Sequence, residues 1–175
     1  MPTPPLSDSG EQRRWLVDHI PYRIRAVLTG LPIDPPWRIP LSSGGMQRDP
    51  LANACAWAAI HEGRLSAMRW LIGFIGIKMD RNGGPGASKR GRDTDTFISD
   101  LPGGVRFDPN ADGADTLATV WLGCSQAGGH ATHGTEHPDI SDTRLAAALF
   151  LVLTHLERSI YAKAGINLIE LIRAV

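Results

Sequence analysis

Little in this chain commits it to a chemistry before its fold is considered. Only two cysteines, Cys55 and Cys124, occur in 175 residues, which excludes a disulfide framework because such scaffolds rest on several pairs. Both sit in helix-like surroundings, ANACAWAAI and VWLGCSQA, and read as reduced, buried thiols. Charge of one sign is not in excess: Lys plus Arg and Asp plus Glu each number 18. No global field therefore recruits nucleic acid, an anionic membrane or an acidic substrate, and any such partner must meet a local patch. The N-terminus lacks a charged segment followed by an apolar one, so no secretory signal is read. The longest nearly apolar runs, 71–77 and 145–153, fall short of the ~20 residues that span a bilayer. These absences predict a cytoplasmic protein with no membrane partner. There is no internal repeat and no complete catalytic signature.

What is present is helical periodicity. Asp8 and Ser9 stand three residues before Glu11 and Gln12, which is capping-box spacing, and predict a helix over 9–29. Its apolar positions are Leu16, Ile20, Ile24, Val27, Leu28 and Leu31. Pro21 lies within that pattern and predicts a kink or break near Ile20, because proline removes a donor and crowds the preceding turn. Asp49-Pro50 reads as an N-cap followed by proline at the first helical position, opening a helix over 50–78. One stripe of it, Ala54, Trp57, Ala58, His61, Leu65, Met68, Ile72 and Ile75, is core. A neighbouring stripe of small residues, including Ser66, Gly73 and Gly76, suits close approach of another helix.

Residues 79–113 are crowded with glycine and charge, and 82–92 is expected to be flexible, as are 1–8. A third helix is predicted over 114–127, ended by Gly128-Gly129. Asp139 or Ser141 caps a last helix over 142–174, with Gly165 a possible interruption. The expected fold is all-α: one helical-bundle domain over 1–175 with about four main helices and a long Gly-rich connector. The second and last helices form its long antiparallel pair, with the last as the central post.

Four groups of residues carry candidate chemistry. His130, His133 and His137 fall within eight residues, beside Glu136; three imidazoles plus water make a catalytic zinc site, with Glu136 or Glu62 as the base. Asp108-Pro-Asn110-Ala-Asp112-Gly113 has the first half of a calcium-loop pattern, but Thr119 stands where the bidentate acid belongs, and a turn capping the third helix is preferred. The run from Gly83 to Arg92 is rich in backbone amides that suit phosphate, and Lys89, Arg90 and Arg92 offer a nonspecific nucleic-acid contact. Finally, His61, Glu62 and His155, with Glu157 and Arg158, are polar groups on otherwise apolar helices.

In its layout, with long helices, the polar SQAGGHATHG stretch before the last one and an apolar closing helix, the chain resembles HEPN-type helical domains. That resemblance implies an RNA-directed nuclease or toxin-system partner. The family's arginine followed four to six residues later by histidine is met here by Arg13 or Arg14 with His19, on the first helix, whereas the family carries it on a late one. The leading expectation is a helical interaction module, homodimeric through its second or last helix. It has no cofactor; the alternatives are a metal-dependent hydrolase or nuclease, using zinc or another divalent ion, and the HEPN-like nuclease.

Overall fold

A computed structural model describes residues 9–29, 50–89, 91, 95–127 and 140–173, the side chains of 50–58 and 127 excepted. The protein is mainly helical, as predicted, with one two-stranded antiparallel sheet that the sequence reading did not anticipate.

The first helical run is unbroken but irregular. Helix α1 (Ser9–Arg14) passes into a π-helical segment, Trp15–His19, and then into α2 (Ile20–Leu28). The π segment lies immediately before Pro21. Widening the turn there accommodates a residue that cannot donate, so the expected break becomes a bulge instead. Ile20, Ile24 and Val27 are fully buried and lie at the spacing of one helical face.

Helix α3 (Pro50–Phe74) begins at its proline, and Leu65, Met68, Leu71 and Ile72 are buried along one face. It packs against α2 and against α4 (Ala114–Ala127), and only slightly against α5 (Asp142–Leu156). The central post is thus α3, not the last helix. The contact between α3 and α5 includes an ion pair from the buried guanidinium of Arg64 to Asp142, in the first turn of α5.

Gly76, at φ +100°, turns the chain out of α3 four residues earlier than predicted. Strand β1 (Ile77–Met79) then pairs with β2 (Pro85–Ala87), with Ile77 opposite Ala87 and Met79 opposite Pro85. The turn between them is built around Asp80, whose carboxylate accepts from the amides of Asn82 and Gly84 at 2.8 and 2.9 Å. A Cβ on Gly86 would stand 2.9 Å from the Asp80 Cβ. Glycines that suggest looseness in the sequence are here required by the fit of the hairpin; residues 82–87 of the stretch expected to be flexible belong to it.

After a 3-10 turn at Ile98–Asp100, the Phe107 amide bonds the Ile75 carbonyl at 2.8 Å, bringing the connector back to the end of α3. Asp108 accepts from both the amide and the side chain of Asn110, and Gly113 takes φ +88° just before α4. The calcium-like pattern is therefore a helix-initiating turn. Leu117, Ala118, Val120 and Cys124 carry α4 into the core.

Ser141 caps α5, accepting from the Arg144 amide at 3.3 Å. Leu145, Leu149, Val152 and Leu156 are buried, and Leu153 is half-buried. A second π-helical segment, Glu157–Tyr161, leads to the short α6 (Ala162–Ala164), which Gly165 ends at φ +66°; α7 (Leu168–Arg173) follows. The run Asp142–Ala164 is long and apolar enough by length and composition to cross a membrane. Its buried face, however, is spent on the protein's own core.

Candidate functional site

Five aromatic side chains, three of them among the chain's five tryptophans, converge on one open cleft of about 440 Å³. Helix α3 forms its floor. Ser66, Arg69, Trp70 and Gly73 recur at the spacing of one helical face and line it. The small-residue stripe expected to seat another helix is thus partly the floor of a cleft. Trp15 enters from the first π segment, Trp121 from α4, and Ser88, Lys89, Thr96 and Phe97 from the connector after β2.

The aromatic rings are ordered. Trp70 and Phe74, one turn apart on α3, stack with centroids 5.0 Å apart and planes 10° from parallel. Trp15 lies 5.8 Å from Trp70 and 5.9 Å from Phe74, inclined by 15° and 5°. These are offset-stacking distances. Phe74 is buried and supports the half-buried Trp15 and Trp70.

Three arginines lie over aromatic rings. The Arg23 guanidinium lies 5.5 Å from the Trp70 centroid and that of Arg69 lies 5.6 Å from Trp121. Arg106 is closest, 4.1 Å from Phe97. It also donates to the Ser88 carbonyl at 3.0 Å and the Ser99 hydroxyl at 3.3 Å. One side chain thereby ties together both ends of the connector wall.

Of the described lining groups, Arg69 and Lys89 are cationic and Asp95 is anionic, which leaves a local excess of one positive charge. Asp95 accepts from the Gly91 amide at 2.8 Å, which holds its carboxylate in the wall. Among the described residues the lining includes hydroxyls but neither histidine nor cysteine. Cys124 lies buried in α4, and burial pushes its thiol up to about 12, an effect that Arg64 and Arg69 only partly offset. It remains a protonated core residue, as its sequence context suggested, and offers no thiolate nucleophile.

The residues singled out in the sequence fare differently. His61 and Glu62 stand exposed on α3. His155 is half-buried on α5, and its Nε2 lies 2.7 Å from the Val105 carbonyl, so that nitrogen carries the proton. The ring also tilts against Phe107 at 5.2 Å. Burial holds its pKa below the ordinary histidine value. Its partners are thus the Val105 carbonyl, the Phe107 ring and, at 3.4 Å, the Ser159 hydroxyl, not His61 or Glu62. Arg13, Arg14 and His19 are exposed, with the His19 ring 5.1 Å from Trp15. Glu157 and Arg158 are exposed as well. His130, His133, Glu136 and His137 lie outside the described residues, as do Arg90 and Arg92; among the described residues no three His, Cys, Asp or Glu side chains gather as a metal ion requires.

A second cavity, about 410 Å³, is lined by Leu16, Leu101, Pro102 and Ile160, and its cation, Lys163, already donates to the Gly103 carbonyl at 2.9 Å. It lacks the convergent polar groups of the first.

Trp15, Trp70, Phe74 and Trp121 were missed as site residues because each also fits a helical apolar stripe. The available signal was Arg69-Trp70 followed by Phe74, with Ser66 and Gly73 beside them: aromatics next to small and cationic residues on one face. No family model, curated protein or solved structure matches the chain.

Proposed function

We propose that the protein is a non-catalytic binding module whose cleft takes a planar ligand. The observation that carries this reading is the set of aligned rings, Trp15, Trp70 and Phe74, in the wall of a cleft that also has Trp121 and Phe97. A ring stacked on such a face gains about 0.5–1.5 kcal/mol beyond the area it buries. The volume of about 440 Å³ lies within the ~300–1,000 Å³ typical of small-ligand sites. Hydroxyls, one carboxylate and two cations orient a ligand; without an imidazole or thiolate among the described lining groups, they favour recognition over nucleophilic chemistry.

Gly73 provides the test. A Cβ there meets only the Trp121 Nε1, at 3.7 Å, an ordinary contact, so a larger side chain extends into the cleft without straining α3. Planar aromatic fragments followed by ligand-observed NMR are expected to engage the wild type and Gly73→Ala but not Gly73→Leu, with the fold of Gly73→Leu intact by circular dichroism. Engagement unchanged in Gly73→Leu, or no engagement by any fragment, removes the proposal.

A second reading, self-association, has its own support. Phe150 on α5 is 68% exposed, and Ala146 and Ala147 one turn earlier are exposed on the same helix. A ring left this open beside small residues suits packing against a second copy. Sedimentation equilibrium should show a dimer that Phe150→Glu converts to monomer; a wild-type monomer throughout the micromolar range rules this reading out.

A further inference from the structure

We infer that Asn82-Gly83, in the turn of the β1–β2 hairpin, is a site of spontaneous succinimide-forming modification, and that its isoaspartyl product uncouples the hairpin. The inference is independent of the binding reading above, since neither residue lines the cleft.

The electrophile is the Asn82 side-chain amide. Of the chain's four asparagines, at 53, 82, 110 and 167, only that at 82 precedes a glycine. Without a Cβ, glycine offers its amide nitrogen to the preceding side chain with the least hindrance. Two of the other asparagines are held in place. The Asn110 side-chain amide donates to Asp108 at 3.1 Å, and the Asn167 Oδ1 accepts from the Glu170 amide at 3.2 Å. Asn82 is exposed and is engaged through its backbone N–H alone, which donates to the Asp80 carboxylate at 2.8 Å; its side chain bonds no described residue.

The nucleophile is the Gly83 amide. The Asp80 carboxylate grips the amides on either side of it, those of Asn82 and Gly84, at 2.8 and 2.9 Å. The Gly83 N–H reaches only the Asp80 carbonyl, at 3.4 Å, beyond the ~2.7–3.2 Å of a well-made N–H···O bond. Its proton is therefore the most weakly held of the three. Nothing lies within 4 Å of a Cβ built on Gly83, so a ring formed at this peptide bond meets no neighbour.

In the reaction the Gly83 nitrogen gives its proton to water and attacks the Asn82 Cγ. The N–Cγ bond forms, the Cγ–Nδ2 bond breaks, and Nδ2 leaves as ammonia. The five-membered succinimide then takes up one water. Addition at Cγ restores the ordinary backbone with aspartate at that position. Addition at the main-chain carbonyl carbon leaves the chain running through Cβ and Cγ, as isoaspartate. The balance is asparagine plus water to acid plus ammonia, with no oxidant or reductant.

Isoaspartate lengthens the turn by one backbone carbon and sets a carboxylate two residues from that of Asp80, whose two amide bonds shape the turn. The strands are three residues each, with only the pairs Ile77 to Ala87, Lys78 to Gly86 and Met79 to Pro85. Such a short ladder has no spare length to absorb the change. Strand β2 leads directly into Ser88, whose amide donates to the Gly76 carbonyl at 2.7 Å and whose carbonyl accepts from Arg106 at 3.0 Å. The loosening is thus expected over 77–89, while the buried face of α3 is untouched.

Incubation of the whole protein in warm, mildly alkaline buffer, with peptide mass spectrometry, tests the site. Residue 82 should become heavier by about 1 Da. It should do so at least about tenfold faster than Asn110 and Asn167, a barrier difference of ~1.4 kcal/mol. Electron-transfer fragmentation should identify isoaspartate among the products. In that fraction, amide exchange at 77–79 and 86–89 should rise by about fivefold or more, with 65–72 unchanged. Asn82→Gln closes only a six-membered ring and should keep its hairpin protection through the same incubation. Fresh Asn82→Asp carries the charge without the extra backbone carbon and should stay close to the unaged wild type. Conversion at residue 82 no faster than at Asn110 and Asn167 overturns the inference. So does an isoaspartyl fraction whose hairpin exchange is unchanged, or a fresh Asn82→Asp variant as unprotected as that fraction.

Discussion

The Tyr161 hydroxyl donates to the Leu16 carbonyl at 2.7 Å, joining two π-helical segments 145 residues apart. Pro21 explains why that carbonyl is available. In the widened turn the Ile20 amide is committed to Trp15 O, five residues back. The next donor in that register belongs to residue 21, which is proline and has none. A half-buried acceptor is left, and a tyrosine with 0% exposure supplies the missing proton. Tyr161→Phe keeps the ring but strands the carbonyl, which should cost about 1–3 kcal/mol in urea unfolding. Burial, and then the charge of Glu157, raises the phenol above its ordinary value. Because the folded state holds this proton more tightly than the unfolded one, the contribution is complete below pH ~10 and lost as pH rises beyond it. The wild type should therefore lose stability faster than Tyr161→Phe at alkaline pH; parallel pH profiles would show that this proton is not linked to folding.

Two glycines should respond to alanine in opposite directions. Gly63 lies in α3 with nothing within 4 Å of an added Cβ. Gly63→Ala is expected to stabilise the protein by about 0.5–1 kcal/mol through helix propensity. A Cβ on Gly104 would overlap the Ile98 carbonyl oxygen, so the 3-10 turn must open to admit it. Gly104→Ala should destabilise by about 3 kcal/mol or more. Thermal unfolding of both variants reads the contrast directly.

Most of the helical architecture was legible because its signals are local. The proline at residue 50, the Ser141 cap, the interruption at Gly165 and the buried positions of α3 from Leu65 to Ile72 stand where periodicity and capping rules put them, whereas His61 on the same stripe is exposed. The hairpin was not legible. Strands of three residues leave no alternation to read, and Asp80 with its glycines reads as loop composition until its two amide bonds are seen. Nor was the cleft, since a tryptophan on an apolar stripe gives the same pattern whether it faces the core or a solvent-filled groove. Trp70 is set apart by what meets it across the chain, Trp15 on one side and Arg23 over its ring. Long-range pairing of that kind leaves no spacing in the sequence.

His155 makes stability sensitive to acid. Burial lowers its pKa, and the hydrogen bond to Val105 only partly restores it. The folded state holds the imidazole neutral while the unfolded chain titrates near pH ~6.5. Between these values the unfolded state binds more protons, so stability is complete above pH ~6.5 and falls as the pH drops through the lower, folded value. His155→Gln retains a donor for the Val105 carbonyl and removes the titration. Its unfolding free energy should vary less than that of the wild type between neutral pH and pH 5; an unchanged slope would assign the acid sensitivity to other groups.

Arg106 should act on the cleft without lining it. Its guanidinium bonds the Ser88 carbonyl and the Ser99 hydroxyl and covers Phe97 at 4.1 Å. Ser88 and Phe97 are wall residues, so the arginine sets where that wall stands. Its stem packs where Gly76 leaves room, with the site of a Gly76 Cβ only 3.1 Å from Cδ. Arg106→Met keeps much of the stem and removes the two hydrogen bonds and the cation over the ring. The expected loss of global stability is about 1–2 kcal/mol, since the group is only half-buried. The sharper expectation is local: faster amide exchange at residues 88–89 and 95–99 and weaker binding of planar ligands, with α3 protection unchanged. A uniform rise in exchange across α3 and the connector would mean that the methionine variant weakens the whole fold, and Arg106 would then have no particular role in positioning the wall.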